Sequence, residues 1–429
     1  MKKYVIHPFA FCFLVQQKSR KIIICLCLLL GVPTAAWSSN LITDNQWKED
    51  INIYLEKLEQ GHLNVFHTTP KERIYENVKV LRKQLPKLSD NEILVRLMEI
   101  TRMVGDGHTS FPLWGPKLNK FPIKLMAIDK RLFVTATTSE NRRLLKTELV
   151  SINGTQIAEV FDSLAKLVPF AENAYSTQVR VAQYMPMAEV LNGIGLVDAN
   201  YSASFTFKKN NTVMHRDLHA EVSQNYDKPT LLGTFNPQVK NTAVNEGLWF
   251  SSSKNKNSVY VKFQRYTNVN SMEKFADELL RFINENQSEN LIIDLRNNFG
   301  GDFFAGLKLA QYLVLADSLN WKSGSYVLIN NVTFSAAMSN AAQFKSILNA
   351  MLIGEPTGAK PKGYQDMGEF TLPNSKRVVT FSKRFYDFMG NNKDAIYPDK
   401  TIKLTVDDYL KNTDKPLDWV LEQVDWYKK

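Results

Sequence analysis

Cysteine is nearly missing from this 429-residue chain. There are three, Cys12, Cys25 and Cys27, all within the first 27 positions. Past residue 27, therefore, no disulfide, thiol nucleophile or cysteine-ligated zinc site can be built. Histidine is sparse too: His7, His62, His67, His108, His215 and His219 are the full set, and no His-Glu-x-x-His pattern occurs. A zinc protease of that type is excluded. His215 and His219 lie four apart on a stretch that reads as a strand, a spacing that separates them by about 13 Å. Nothing in the pattern calls for a metal or a cofactor. Long apolar runs are also lacking. The run at 22–32 is about half the roughly 20 residues a membrane-spanning helix needs. Dense basic blocks are absent, and with them the clustered cationic face that nucleic acid requires.

What is present at the N-terminus reads as an export leader. Lys18, Arg20 and Lys21 precede the apolar run, and Thr34, Ala35 and Ala36 follow it as a cleavage region. The expectation is a signal peptide over 1–36 and a periplasmic or extracellular protein. The long basic start keeps an uncleaved membrane anchor as the alternative. The formal net charge of +10 includes five basic residues in that leader. Removing those five from 53 leaves 48 basic against 43 acidic side chains, spread without clustering. Hydrophobic residues at 44% and charged residues at 22% are ordinary for a globular chain. The length predicts two or three packed units.

Residues 44–104 predict helices. Trp47, Ile51, Tyr54, Leu55 and Leu58 recur at helical spacing before Gly61, and Ile74, Val78, Leu81 and Leu85 do so after Pro70. Ser89-Asp-Asn-Glu92 is a capping box opening a third helix, which must end at Gly105-Asp106-Gly107. The middle predicts strands at 121–128, 132–137 and 148–152, a tight turn at Asn153-Gly154, helix over about 157–191, and a hairpin of 202–207 with 213–218. The last third alternates: strand 258–263, helix 271–285, strand 291–295, a helix carrying Phe304, Leu307, Leu309 and Leu313, strand 326–329, helix 334–350. Such alternation implies a layered α/β sheet. The expected division is 37–120 helical, 121–250 β-rich and 251–429 α/β core.

Candidate chemistry lies where strands hand over to helices. Ser335 follows the strand at 326–329 and begins a helix, where a hydroxyl can project from a sharp turn. The free N–H groups of the first helical turn are suited to stabilising negative charge there. The competing assignment is a plain N-cap serine. Gly300-Gly301 follows the strand at 291–295, where paired glycines allow close backbone approach and can offer N–H donors to an oxyanion. Asp294 and Arg296 in the same turn read as a structural ion pair. His108 sits in the break Val104-Gly-Asp-Gly-His-Thr109.

These segments resemble one family. Leu291-Ile-Ile-Asp-Leu-Arg-Asn-Asn-Phe-Gly-Gly301 is similar to the Asp-Leu-Arg-x-Asn-x-Gly-Gly signature of the S41 serine peptidases, which include C-terminal processing proteases and the tricorn core. Residues 330–337 and Ile353-Gly-Glu-Pro-Thr-Gly358 resemble its nucleophile and following-strand blocks. Val104-Gly-Asp-Gly-His-Thr-Ser110 resembles the early histidine motif of the tricorn-like branch, and Ile396-Tyr-Pro-Asp399 its late segment. The resemblance runs in order from about residue 60 to 420. It implies a crotonase-like α/β spiral core with an N-terminal helical domain, and at most a reduced PDZ-like element in the β-rich middle segment. By position it implies Ser335 as nucleophile, His108 as general base, Asp394 as the carboxylate orienting it, and Gly300 or Gly301 with the Ala336 N–H as oxyanion hole. Two departures stand out: Gly107 replaces the relay serine of tricorn, and Ser335-Ala-Ala-Met338 lacks the glutamate of the Ser–Lys branch. Lys360 is the alternative base of that branch, though Pro361 follows it. The implied activity is peptide-bond hydrolysis on a peptide or protein substrate. The alternative from another class is a non-catalytic binding protein of the same fold, with the aromatic segment 381–388 lining an apolar pocket.

Overall fold

Thr43 and Ser89 set the first and third helices, each closing a reciprocal capping box with the side chain three residues on, Gln46 and Glu92. The structure is a computed structural model and describes residues 42–222, 224–226 and 242–427. The leader expected over 1–36, with its cysteines and His7, lies outside them. The helices are α1 (Asp44–Gly61), α2 (Lys71–Gln84) and α3 (Asp90–Arg102). An antiparallel sheet follows, with β1 (Ile123–Ile128), β2 (Arg131–Thr137), β3 (Glu148–Ile152) and the short β4 (Thr155–Gln156). Asn153 and Gly154, at φ 48° and 81°, fold β4 back onto β3 as the Asn-Gly signal predicts.

The helix expected over 157–191 is three helices: α4 (Ile157–Ala165), α5 (Ala174–Tyr184) and α6 (Ala188–Gly193). Pro169 and Pro186 fall in the breaks, where neither can supply a helical N–H. The hairpin β5 (Ser202–Lys209) and β6 (Thr212–His219) completes this sheet in the order β1-β2-β3-β5-β6, with β4 on β3.

The second sheet has seven strands. Its elements are β7 (Thr242–Asn245), β8 (Leu248–Ser252), β9 (Ser258–Phe263), α7 (Val269–Glu285), β10 (Asn290–Asp294), α8 (Phe303–Leu313), β11 (Ser325–Ile329), α9 (Ala336–Ile347) and β12 (Met351–Gly354). A hairpin of β13 (Lys362–Thr371) and β14 (Val378–Asp387) then precedes β15 (Lys400–Thr401), α10 (Val406–Lys411) and α11 (Lys415–Gln423). The sheet order is β15-β12-β11-β10-β9-β8-β7, parallel from β15 to β9 and antiparallel beyond. Its central strands are buried on both faces, which is why they read as unbroken apolar runs. Leu291, Ile293 and Val327 pack with α7, α8 and α9; Ile292 and Leu328 point the other way, onto Leu417, Val420 and Leu421 of α11.

The β13–β14 hairpin was not expected, because β13 alternates too few apolar residues to stand out. It ties the C-terminal half to the N-terminal helices. Leu372 and Val379 join the α1–α3 core, and Asp50 accepts the N–H groups of Asn374 and Ser375 at 2.9 and 2.8 Å. Among the described residues no helix is long and apolar enough to cross a membrane.

Candidate active site

The carboxyl ends of β9, β10 and β11 lie side by side, the edge of a parallel sheet where loops meet ligands. Asn298, fully buried, stitches the loops there. It donates Nδ2–H to the Phe263 carbonyl at 2.7 Å, its own carbonyl accepts the Phe334 N–H at 3.0 Å, and its Oδ1 accepts the Gly300 N–H at 2.9 Å. Thr333 braces the second loop by donating to the Leu295 carbonyl at 3.0 Å. Ser335 emerges from this frame at φ 52° and ψ −129°. For a residue with a Cβ that backbone costs about 1–3 kcal/mol, and it persists only where the surroundings impose it.

Ser335 does not cap α9: its side chain makes no cap hydrogen bond. Its Oγ instead lies 2.8 Å from His108 Nε2. Gly300, at φ 98°, packs against the same turn. A Cβ there would fall 2.7 Å from Ser335 Cβ, 2.9 Å from the Phe334 carbonyl oxygen and 3.0 Å from the Ala336 nitrogen. A Cβ on Gly301 would fall 2.7 Å from the Tyr266 side chain.

His108 rides on the loop after α3, and Asp106 shapes that loop. Asp106 Oδ1 accepts the N–H groups of His108 and Thr109 at 3.0 and 2.7 Å and the Ser382 hydroxyl of β14 at 2.6 Å. Its Oδ2 faces His62 Nε2 at 2.9 Å. His62 Nδ1 accepts the Asn64 N–H at 2.8 Å, so the proton of this neutral ring sits on Nε2 and is donated to Asp106. Burial raises the Asp106 pKa, but the bonds from His62 and Ser382 outweigh it and hold the carboxyl at about 2. Thr380 of β14 donates to the His108 carbonyl at 2.7 Å, and the imidazole stacks on Phe334 with centroids 5.4 Å apart.

Burial, reinforced by the nearby Arg180 charge and partly opposed by Asp106 and Asp366, lowers the His108 pKa from 6.5 to about 4. The ring is therefore neutral at physiological pH and can accept a proton at Nε2. Its Nδ1 is buried without a hydrogen-bond partner among the described residues. Asp394, expected there, is elsewhere: its Oδ1 accepts the Tyr397 hydroxyl at 2.7 Å on the surface, and its backbone carbonyl accepts the Asn173 amide. A three-residue contact on one loop captures that carboxylate. Lys360 is not among the residues lining the cavity beside Ser335. Its N–H donates to Glu172 Oε2 at 3.0 Å, and its carbonyl accepts the Gln365 amide.

Asp294 and Arg296 form the structural pair expected of them. Two guanidinium nitrogens of Arg296 donate to the buried Asp294 carboxylate at 2.9 and 2.7 Å, and Arg296 also clamps Asp414 at 2.5 and 3.0 Å. His62, His67 and Asp106 have the composition of a metal site, with ligand atoms within 4.8 Å of one another. Their geometry argues otherwise. Both ring nitrogens of His62 are engaged, Nδ1 with the Asn64 N–H and Nε2 with Asp106, so that ring offers no free lone pair.

Ser335 and His108 open onto a cavity of about 630 Å³ that Phe299, Phe303, Phe304, Phe334, Tyr386 and Phe388 make aromatic, with Arg180 beside them. The segment 381–388 thus does line a pocket, through Arg384, Tyr386 and Phe388. Sequence reasoning brings Ser335, His108, Gly300, Gly301 and Ala336 to this one place. It passes over Asp106, Glu172 and Arg180. The available signals were an acid between two glycines, and an arginine on the helix face that carries Ser176, Val181 and Tyr184 into the interior.

No family model matches the sequence, and no curated relative matches it. Solved structures do. Mature CPAF complexed with lactacystin is similar with a TM-score of 0.58 at 11% identity, over 89% of this chain and 98% of that one. Mature CPAF alone gives 0.58 and 11%, over 89% and 97%. The photosystem II D1 C-terminal processing protease gives 0.41 and 14%, over 83% and 92%. At such identities the likeness is one of fold. It shows an α/β fold shared with CPAF and carries no preference for the tricorn-like branch.

Proposed function

We propose that this chain is an exported serine peptidase of the S41 type, with a crotonase-like core and the histidine base of the tricorn-like branch. Ser335 Oγ attacks the scissile carbonyl while His108 Nε2 takes its proton; the same nitrogen returns that proton to the leaving amine. Water, deprotonated in turn by His108, then hydrolyses the acyl-enzyme. The N–H of Ala336, at the start of α9, faces the developing oxyanion together with that of Gly301, since the Gly300 N–H is committed to Asn298. The observation that carries this reading is the 2.8 Å contact between His108 and a serine whose backbone is strained and whose hydroxyl declines the cap. The aromatic cavity favours a second reading, an apolar-ligand binder without turnover. Cleavage of denatured casein separates them. The peptidase reading expects turnover that falls by at least about 10³-fold in Ser335→Ala. Casein left intact by the wild-type chain, or cut equally by the variant, overturns it.

A further inference from the structure

The cavity in front of Ser335 contains a cation that no acid among the described residues neutralises. Arg180 points inward from α5 and is 9% exposed. Its guanidinium carbon lies 4.5, 5.3 and 5.4 Å from the ring centroids of Phe299, Phe170 and Phe334. Its Nε donates to the Phe170 carbonyl at 3.3 Å and its Nη1 to Gln183 Oε1 at 2.9 Å. Both acceptors are neutral. A guanidinium carries five N–H donors, so the remainder of the fork is left to face the cavity. Among the described residues no carboxylate pairs with it. The two acids lining the cavity are otherwise engaged: Asp366 with Arg384 at 3.2 Å and Lys383 at 3.7 Å, and Asp302 as the cap of α8 at Phe304. Burial without a counter-charge lowers the Arg180 pKa to about 10.

A buried cation is stable when something pairs with it. Phe299 directly precedes Gly300, and Phe334 directly precedes Ser335, so the guanidinium is packed against both loops of the reacting centre. The surrounding rings pack about it and limit its contact with water, a condition that strengthens a charge-assisted, two-pronged bond. We propose that Arg180 recognises a carboxylate of the substrate within a residue or two of the scissile bond, so that the site selects peptides carrying Asp or Glu there or ending there in a free carboxylate. This deepens, and rests on, the peptidase reading of the same cavity.

The test reads binding, so that it does not depend on turnover. Full-length protein carrying Ser335→Ala is titrated with acetylated, amidated alanine octapeptides bearing one Glu at each position in turn, the matching Gln set, and the all-alanine octapeptide with a free or amidated C-terminus. One Glu position, or the free terminus, binds about ten- to a hundred-fold more tightly than its neutral counterpart, the range for hydrogen bonds to a charged group; which of the two does so identifies the source of the carboxylate. Adding Arg180→Gln brings that ratio to about one, and Arg180→Lys keeps part of it by retaining the charge without the fork. Equal binding of acidic and neutral peptides, or binding of none, by the protein with Arg180 intact overturns the proposal however the Arg180 variants fold. So does a preference that survives in folded Arg180→Gln. Fluorophosphonate labelling of Ser335 in the unsubstituted chain is scored separately. Label without carboxylate preference removes the acidic-substrate assignment alone; preference without label leaves a binder of acidic peptides and removes the peptidase.

Discussion

Asp106 holds the backbone of His108. One carboxylate oxygen accepts the His108 N–H at 3.0 Å and the Ser382 hydroxyl at 2.6 Å, clamping the loop after α3 to the β13–β14 hairpin. On the peptidase reading, Asp106 positions the base without touching substrate. Asp106→Asn turns an amide toward donors that need an acceptor, which costs about 1–3 kcal/mol of stability. It should lower kcat at least about tenfold with little change in KM, because the displaced imidazole matters in the transition state. Urea melts paired with steady-state kinetics check this; a folded Asp106→Asn with wild-type kcat contradicts it.

The base can be read from two alanine variants and one pH profile. His108→Ala should abolish turnover, and Lys360→Ala should keep most of it, since Lys360 binds Glu172 through its backbone and is not among the residues lining the cavity. An unperturbed histidine would give an acid limb near pH 6.5. Burial lowers His108 to about 4, so it stays neutral to lower pH and the limb of kcat/KM should fall near 4. A limb above 7, or loss of turnover in Lys360→Ala, points to a lysine base.

Glu172 should make stability depend on pH in an unusual direction. Burial raises its pKa from 4.5 to about 7, with the Lys360 N–H opposing, Asp106 adding to the rise and Gly107 opposing. Between about pH 4.5 and 7 the folded chain then binds this proton more tightly than the unfolded chain does. The resulting stability is full below 4.5 and is lost as pH rises through 7. Glu172→Gln removes the titration, so its Tm relative to wild type should climb between pH 5 and pH 8. A Tm difference constant across that range would contradict the assignment.

The two glycines before α8 should differ in what they tolerate. Gly300→Ala places a Cβ 2.7 Å from Ser335 Cβ at φ 98°, so it should disturb the nucleophile and cost both stability and kcat. Gly301→Ala meets the Tyr266 side chain instead. Displacement of its N–H, which alanine retains, from the oxyanion hole should lower kcat by about 10²–10³-fold and raise KM far less. Melting curves run beside the kinetics separate folding from catalysis; well-folded Gly301→Ala with near-native kcat removes that donor from the account.

Much of this arrangement was legible because it is local. The Ser89 capping box, the Asn153-Gly154 turn and the apolar strands at 258–263, 291–295 and 326–329 are each written in adjacent residues. Ser335 and Gly300-Gly301 were found the same way, at strand ends. His108 needed a resemblance, since 227 positions separate it from the serine it meets. What stayed illegible depends on contacts distant in sequence. The β13–β14 hairpin carries a polar pattern and is fixed by Asp50 and Ser110. Asp394 stands at the right position along the chain, yet Tyr397 holds its carboxylate. Arg180 looks like one more surface arginine until α5 is folded and its face is seen to be buried.

The peptidase reading makes Ser335 a nucleophile activated by His108. A fluorophosphonate probe, followed by peptide mapping of the adduct, tests it most directly. A single adduct on Ser335 in the wild-type chain, lost in Ser335→Ala and reduced by at least about 10²-fold in rate in folded His108→Ala, is the expected result. No adduct on Ser335, or labelling at the same rate without His108, would contradict it.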